Sequence, residues 1–229
     1  DRVDIMEEQV RKFKPDMVCM MSEAAAKELK SKISDTNTKV VCGMDGLIEC
    51  ATYDKADTVL NSVVGMVGLQ PTLEAIKAKK TLALANKATL VAGGHLVTNL
   101  AKENGVQILP VDSEHSAIFQ SMQGMPNKKA IKKIILTASG GPFFGKTLDE
   151  LENVTAKDAL KHPNWDMGAK ITIDSATMMN KGLEFIEAKW LFDMPNEDIE
   201  IVVHRESVVH SAIVYQDNSM IAQLGVPDM

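Results

Sequence analysis

Two carboxylates one residue apart, Asp112 and Glu114, follow an apolar run from Val106 to Val111. If the backbone stays extended past that run, side chains two positions apart point to the same side and both acids can grip one cation. Acids at the carboxyl end of a strand stand where open α/β sheets bind their ligands. The other reading of the same residues has Asp112 cap a helix beginning near Ser113, with Glu114 in its first turn. Further along, Asn180, Lys181 and Glu184 fall at spacings that place all three on one side of a helix. Ser175 or Thr177 would cap that helix and leave its first amides for an anion. Gly182 in the first turn costs about 1 kcal/mol against Ala, which a close approach of backbone or ligand would explain. The plainer alternative makes Lys181 and Glu184 a solvated pair worth roughly 0.3 kcal/mol. Met179, Leu183, Ile186 and Trp190 read as the stripe that buries this helix, and Glu187 reads as a surface carboxylate.

Weaker signals surround these. Thr137-Ala-Ser-Gly-Gly-Pro-Phe143 ends a strand with the Ser139 hydroxyl and two glycines, a shape that can wrap a phosphate with backbone amides. Ordinary turns look the same. Asn86-Lys87 also ends a strand, which puts Lys87 on a ligand-binding edge or leaves it a solvated charge. His162-Pro-Asn-Trp165-Asp-Met167-Gly168 is irregular. It reads either as a Trp165 plug in a surface groove or as a lid that lays an aromatic over a ligand. Gly65-Met-Val-Gly68 lacks the full spacing of a dinucleotide loop.

The elements that position these residues alternate in type. From Val3 to Val111, helical and strand-like stretches follow one another with short connections, as βαβ units of a parallel sheet require. Beyond Lys128 the pattern changes to a strand at 131–137, short helices over 147–161, a strand at 170–173 and a helix at 178–192. Three stretches, 199–204, 208–216 and 220–224, then alternate like antiparallel strands, with a turn at Asp217-Asn218. The expected fold is α/β, a parallel Rossmann-like sheet truncated at its N-terminus over 1–127, followed by an α+β catalytic domain with antiparallel strands over 128–229. The start on a helix and the stop after a hairpin read as an interior fragment.

The chain has 229 residues, a net charge of −6, 45% hydrophobic and 24% charged residues. Nothing in that balance suits broad neutralisation of nucleic acid. Three cysteines without ligand spacing fit reduced thiols in a cytoplasmic protein. No apolar run reaches membrane-spanning length.

Taken in order, VVGMVGLQPT, LALANK, ILPVDSEHSAIFQ, ILTASGGPF, HPNWDMGAKITIDSATMMNKGLE, VVHRESVVHS and IAQLGVPDM resemble the 1-deoxy-D-xylulose 5-phosphate reductoisomerases. The resemblance implies a dimeric, NADPH- and metal-dependent enzyme of non-mevalonate isoprenoid synthesis, acting on a phosphorylated deoxy-ketose. A carbon–carbon bond is broken and remade, and NADPH reduces the product to 2-C-methyl-D-erythritol 4-phosphate. Asp112, Glu114 and Glu184 would hold Mg²⁺ or Mn²⁺, as an all-oxygen donor set suits. Ser113 and Lys87 would stand at the reacting end of the substrate. Ser139, His162, Ser175, Asn180 and Lys181 would hold its phosphate and hydroxyls. Trp165 and Met167 would belong to the lid, and Asn86 and Gly168 would touch NADPH. The family's Gly-rich NADPH loop and C-terminal helical domain have no counterpart in this stretch. Ala88 replaces a glutamate that helps bind the cofactor, and Arg205-Glu206 replaces a frequent Pro-Gln. The competing readings are a metal-dependent sugar-phosphate aldolase or isomerase without a redox step, and an inert binding fragment.

Overall fold

The computed structural model describes residues 2–162 and 168–226. The chain divides into two compact units, 1–89 with 99–108, and 90–98 with 109–229.

In the first unit, α1 (Val3–Phe13), β1 (Met17–Met20), α2 (Glu23–Lys32), β2 (Lys39–Cys42), α3 (Gly43–Ala51), β3 (Thr58–Asn61), α4 (Leu69–Lys77) and β4 (Thr81–Leu84) alternate as expected. β1 pairs with β2 and β3 with β4, both in parallel. The core under the first pair is Val10, Val18, Met20, Leu29 and Ile33. Ser22 caps α2 by accepting from the Ala25 amide at 3.4 Å. α5 (Lys87–Asn104) begins in this unit, loses helical geometry at Gly93 (φ −122°, ψ 18°) and stops at the left-handed Gly105. β5 (Ile108–Pro110) follows at the boundary between the units. It is shorter than the apolar run that announced it.

The second unit contains α6 (Ser113–Ser121), β6 (Ile131–Ala138), α7 (Leu148–Leu151), α8 (Ala156–Ala159), α9 (Ala169–Ala176) and α10 (Met179–Phe192). After them come β7 (Ile199–Val203), β8 (Val209–Tyr215) and β9 (Met220–Leu224). Its sheet has the order β7-β6-β8-β9. Ile118, Ile134, Leu136, Ile213, Ala188 and Phe192 form its core between the sheet and the helices α6 and α10.

Three expectations change here. β7 pairs with β6 in parallel, and only β6/β8 and β8/β9 are antiparallel. The alternation of apolar residues is blind to strand direction, so it could not tell these apart. Residues 170–173 are helical within α9, despite the β-branched Ile171-Thr172-Ile173. Thr172 is buried there and donates to the Gly168 carbonyl at 3.0 Å, so its hydroxyl finds its partner inside the helix. Finally, α10 does not bury the predicted stripe. Met179 and Ile186 are exposed, while Lys181, Glu184, Glu187, Ala188 and Phe192 are buried.

Candidate metal and phosphate site

The paired acids converge, but not along a strand. Asp112 is the N-cap of α6, with its Oδ1 accepting from the Ser113 amide at 3.1 Å. Glu114 lies in the first turn, and the Ser113 hydroxyl donates to its Oε2 at 2.7 Å. The capping reading thus describes the local backbone, and the cap is what aims both carboxylates the same way. Glu184 arrives from α10 with a side chain only 1% exposed. Asp112, Glu114 and Glu184 each offer an oxygen within 4.8 Å of the others. Their charge is partly offset by Lys181, whose Nζ donates to Glu114 Oε1 at 2.8 Å and to Glu184 Oε2. Asn180 donates to Glu184 Oε1 from the same helix face. Burial alone would push the Lys181 ammonium down, but the charges of Glu184 and Glu114 outweigh it and push it up. Three carboxylates with one ammonium leave two negative charges on hard oxygen donors, which fits Mg²⁺ or Mn²⁺.

The pocket continues from these acids to Ser139, His162 and Ser175. The Ser139 Oγ lies 3.1 Å from His162 Nε2. Burial, and then the charge of Arg205, pushes the His162 imidazole down and favours its neutral form. Gly140 and Gly141 both have positive φ, at 83° and 66°. A Cβ on Gly141 would stand 2.6 Å from the Ser175 carbonyl oxygen, so glycine is what lets this loop seat against α9. The expected cap of α10 is displaced by one residue: its N-cap is Met178, with φ 60°, while the Thr177 hydroxyl before it still accepts from the Met179 amide at 3.4 Å. Ser175 sits in the last turn of α9, and Thr177 directs its hydroxyl to the Ile173 and Asp174 carbonyls at 3.2 and 3.1 Å. Among the described residues Gly182 meets only Met179 Sδ, at 3.9 Å, and no tight backbone contact there explains it.

Asn86 and Lys87 belong to the first unit. Asn86 is buried, donates to the Val63 and Gly65 carbonyls at 2.5 and 2.8 Å, and accepts from the Thr89 amide. Its side chain therefore ties the Gly65–Gly68 turn to the start of α5. Lys87 is the first residue of that helix. Gly168 is the exposed N-cap of α9. Trp165 and Met167 lie outside the described residues.

His204, Ser207 and His210 line the same pocket and received no role from sequence reasoning. The run VVHRESVVHS held the only signal, two histidines flanking the turn into β8. His210 Nε2 is buried without a hydrogen-bond partner among the described residues.

Comparison with known proteins settles the family. Residues 1–94 match the family model described as 1-deoxy-D-xylulose 5-phosphate reductoisomerase, and residues 108–192 match that of its C-terminal domain. The chain is 60% identical over 227 residues to the 1-deoxy-D-xylulose 5-phosphate reductoisomerase of Agathobacter rectalis, covering 99% of this chain and 60% of that protein. It is 60% identical over 225 residues to the one from Halalkalibacterium halodurans, covering 98% of this chain and 58% of that protein. A crystal structure of DOX-P reductoisomerase in complex with NADPH, fosmidomycin and magnesium superposes with a TM-score of 0.93 at 45% identity, covering 100% of this chain and 58% of that one. The chain belongs to the 1-deoxy-D-xylulose 5-phosphate reductoisomerase family. It spans about three fifths of the length of the curated relatives it matches. The family member from Zymomonas mobilis, solved in complex with NADPH, gives a TM-score of 0.91 at 42% identity, over 99% of this chain and 58% of that one. The mixed α/β architecture with its Rossmann-like parallel strands is therefore that of the reductoisomerases.

A second, buried group supports the acids. His115 is fully buried on α6, with Nε2 2.9 Å from the Glu184 carbonyl oxygen and Nδ1 3.3 Å from Asp112 Oδ2. A carbonyl only accepts, so Nε2 carries the proton of that bond. Glu187 Oε2 stands 4.0 Å from His115 Nδ1 with its side chain 4% exposed, so it is not the surface carboxylate its spacing suggested. It belongs to α10's buried polar face. Glu187→Gln is expected to weaken Mn²⁺ binding about tenfold, as changes behind metal ligands commonly do. A titration followed by electron paramagnetic resonance checks this, and the exposed Glu152→Gln should leave the affinity unchanged.

Burial opposes the charged form of His115, but the Asp112 bond and the charges of Asp112, Glu187 and Glu184 prevail and push it from 6.5 to about 8. A raised pKa stabilises the fold below the ordinary value and loses that effect as pH rises through the raised one. With metal chelated, the protein should lose about 2 kcal/mol between pH 6 and 9 from this group. Denaturation curves of His115→Gln should lack that slope.

Proposed function

We propose that this chain forms the metal- and substrate-binding part of an enzyme that converts 1-deoxy-D-xylulose 5-phosphate to 2-C-methyl-D-erythritol 4-phosphate with NADPH and Mg²⁺ or Mn²⁺. The reading rests on one observation: acids from α6 and α10 share a pocket with the hydroxyls, imidazole and ammonium suited to a phosphorylated sugar.

When bound, the divalent ion supplies Lewis acidity and a template for neighbouring oxygens, and NADPH supplies the hydride. Asp112, Glu114 and Glu184 hold the ion, and Ser113 stands beside them at the reacting end. Lys181 stays charged between Glu114 and Glu184 and shares its protons between the acids and a substrate oxygen. Ser139, Ser175, Asn180 and neutral His162 orient the phosphate and hydroxyls, so that binding energy remote from the reacting carbons positions them. Lys87 acts at the reacting end. Asn86 serves the cofactor by holding the Gly65–Gly68 turn, and Gly168 contacts it through its backbone. The working protein is a cytoplasmic homodimer, in which most of 1–108 serves the cofactor and 109–229, with Asp112, Ser113 and Glu114, serves the metal and substrate.

The test uses a protein of the relatives' full length that contains this chain. NADPH absorbance should fall only when the deoxy-ketose phosphate and the metal are both present. Turnover without NADPH consumption, or turnover indifferent to a chelator, would contradict the proposal.

A further inference from the structure

Arg205 follows β7 and stands half-buried behind the loop that leaves β6. Its Nη1 donates to the Gly141 carbonyl at 2.8 Å and to the Ser139 carbonyl at 3.3 Å. The same guanidinium lies 5.0 Å from the centre of the Phe144 ring, a cation–π distance. Three features of one short loop thus meet one side chain. The loop needs such a hold, because two successive residues with positive φ, Gly140 and Gly141, leave it otherwise free to rearrange. In a trans peptide the carbonyl and the next amide point in opposite directions. With the Ser139 carbonyl turned to Arg205, the Gly140 N–H is turned away from it. Gly140 and Ser139 line the pocket, whereas Arg205 does not. The Ser139 hydroxyl also accepts from the Gly141 amide at 3.4 Å, so the loop's conformation sets that hydroxyl's direction.

We propose that Arg205 is a positioning residue for the anionic end of the pocket: its Nη1, bonded to both the Ser139 and Gly141 carbonyls, holds the Ser139 hydroxyl and the Gly140 amide toward a phosphate or phosphonate group. The inference rests on the phosphate-binding reading above. Arg205 acts through the loop, and a lysine would not replace it, since a tetrahedral ammonium on a different stem cannot reproduce a planar group that bonds both carbonyls through Nη1 while lying against the Phe144 ring.

The test compares two hydroxamates on the full chain in the presence of Mn²⁺: fosmidomycin, which carries a phosphonate, and acetohydroxamate, which does not. The quantity read is the ratio of their affinities. A charged donor lost from a carbonyl is worth about a tenfold change, so Arg205→Ala should lower the ratio about tenfold with acetohydroxamate and Mn²⁺ binding unchanged. Arg205→Lys should lower it comparably. Because Arg205 works partly through the Ser139 hydroxyl, the double variant with Ser139→Ala should lose clearly less than the sum of the two single losses. Full retention of the ratio by the lysine variant would show that charge alone matters and would overturn the proposal. Additive losses, or equal losses for both ligands and Mn²⁺, would overturn it as well, making Arg205 an independent ligand or a general support. A wild-type chain with no preference for the phosphonate would instead sink the phosphate reading itself, and the proposal with it.

Discussion

Glu184→Gln is expected to weaken Mn²⁺ binding by more than about 100-fold, beyond what is usual for residues behind the ligands. Three effects combine. The substitution removes one of three ligand carboxylates, so the residual charge offered to a divalent ion falls from two negative to one. It places an amide, with hydrogens to donate, where the Lys181 ammonium and the Asn180 amide already donate. It also leaves Lys181, almost fully buried, with Glu114 as the single acid of its pair. Burying a charge with less compensation is costly, so a lower melting temperature should accompany the loss of metal. Titration by electron paramagnetic resonance separates the two, because the exposed Glu152→Gln should change neither. Equal Mn²⁺ affinity in the two variants would remove Glu184 from the ligand set.

Gly141→Ala should destabilise the protein by about 2–4 kcal/mol, joining left-handed strain to overpacking. The glycine has φ +66°, and its missing Cβ would lie 2.6 Å from the Ser175 carbonyl oxygen and 3.1 Å from Ala176 Cα. Backbone atoms cannot step aside as a flexible side chain would. Relief would push the Ser139 loop off α9 and part Ser139 from Ser175, so fosmidomycin binding should fall together with stability. Gly145→Ala supplies the comparison: its φ is +81° but no described residue lies within 4 Å of the added carbon. It should cost only the strain, about 1–2 kcal/mol. Urea denaturation of the two variants gives the difference, and equal costs would mean that the contact with α9 yields easily.

The types and order of the elements were legible because they depend on neighbours in the chain. The βαβ alternation before Val111, the helix carrying Asn180, Lys181 and Glu184, and the hairpin at Asp217-Asn218 all follow from local period and turn chemistry. The strand assigned to 170–173 failed for the converse reason. β-branched residues favour strands only where a pleated neighbour packs against them, and there the chain instead coils beside α8 and α10. The direction of β7 was equally beyond reach, since parallel and antiparallel pairing bury the same residues.

By itself the sequence determined which residue types are available for chemistry: acids on either side of a helix start, hydroxyls and glycines after β6, and a lysine one turn from a glutamate. These depend on spacing, which the covalent chain carries everywhere. Only the tertiary structure decided which of them face inward. α10 buries Lys181, Glu184 and Glu187 and exposes Met179 and Ile186, the reverse of what apolar patterning predicts. The physical reason is mutual compensation. A buried charge is tolerable only beside partners, and here the partners, Glu114, Asp112 and His115, come from a helix far away in the sequence.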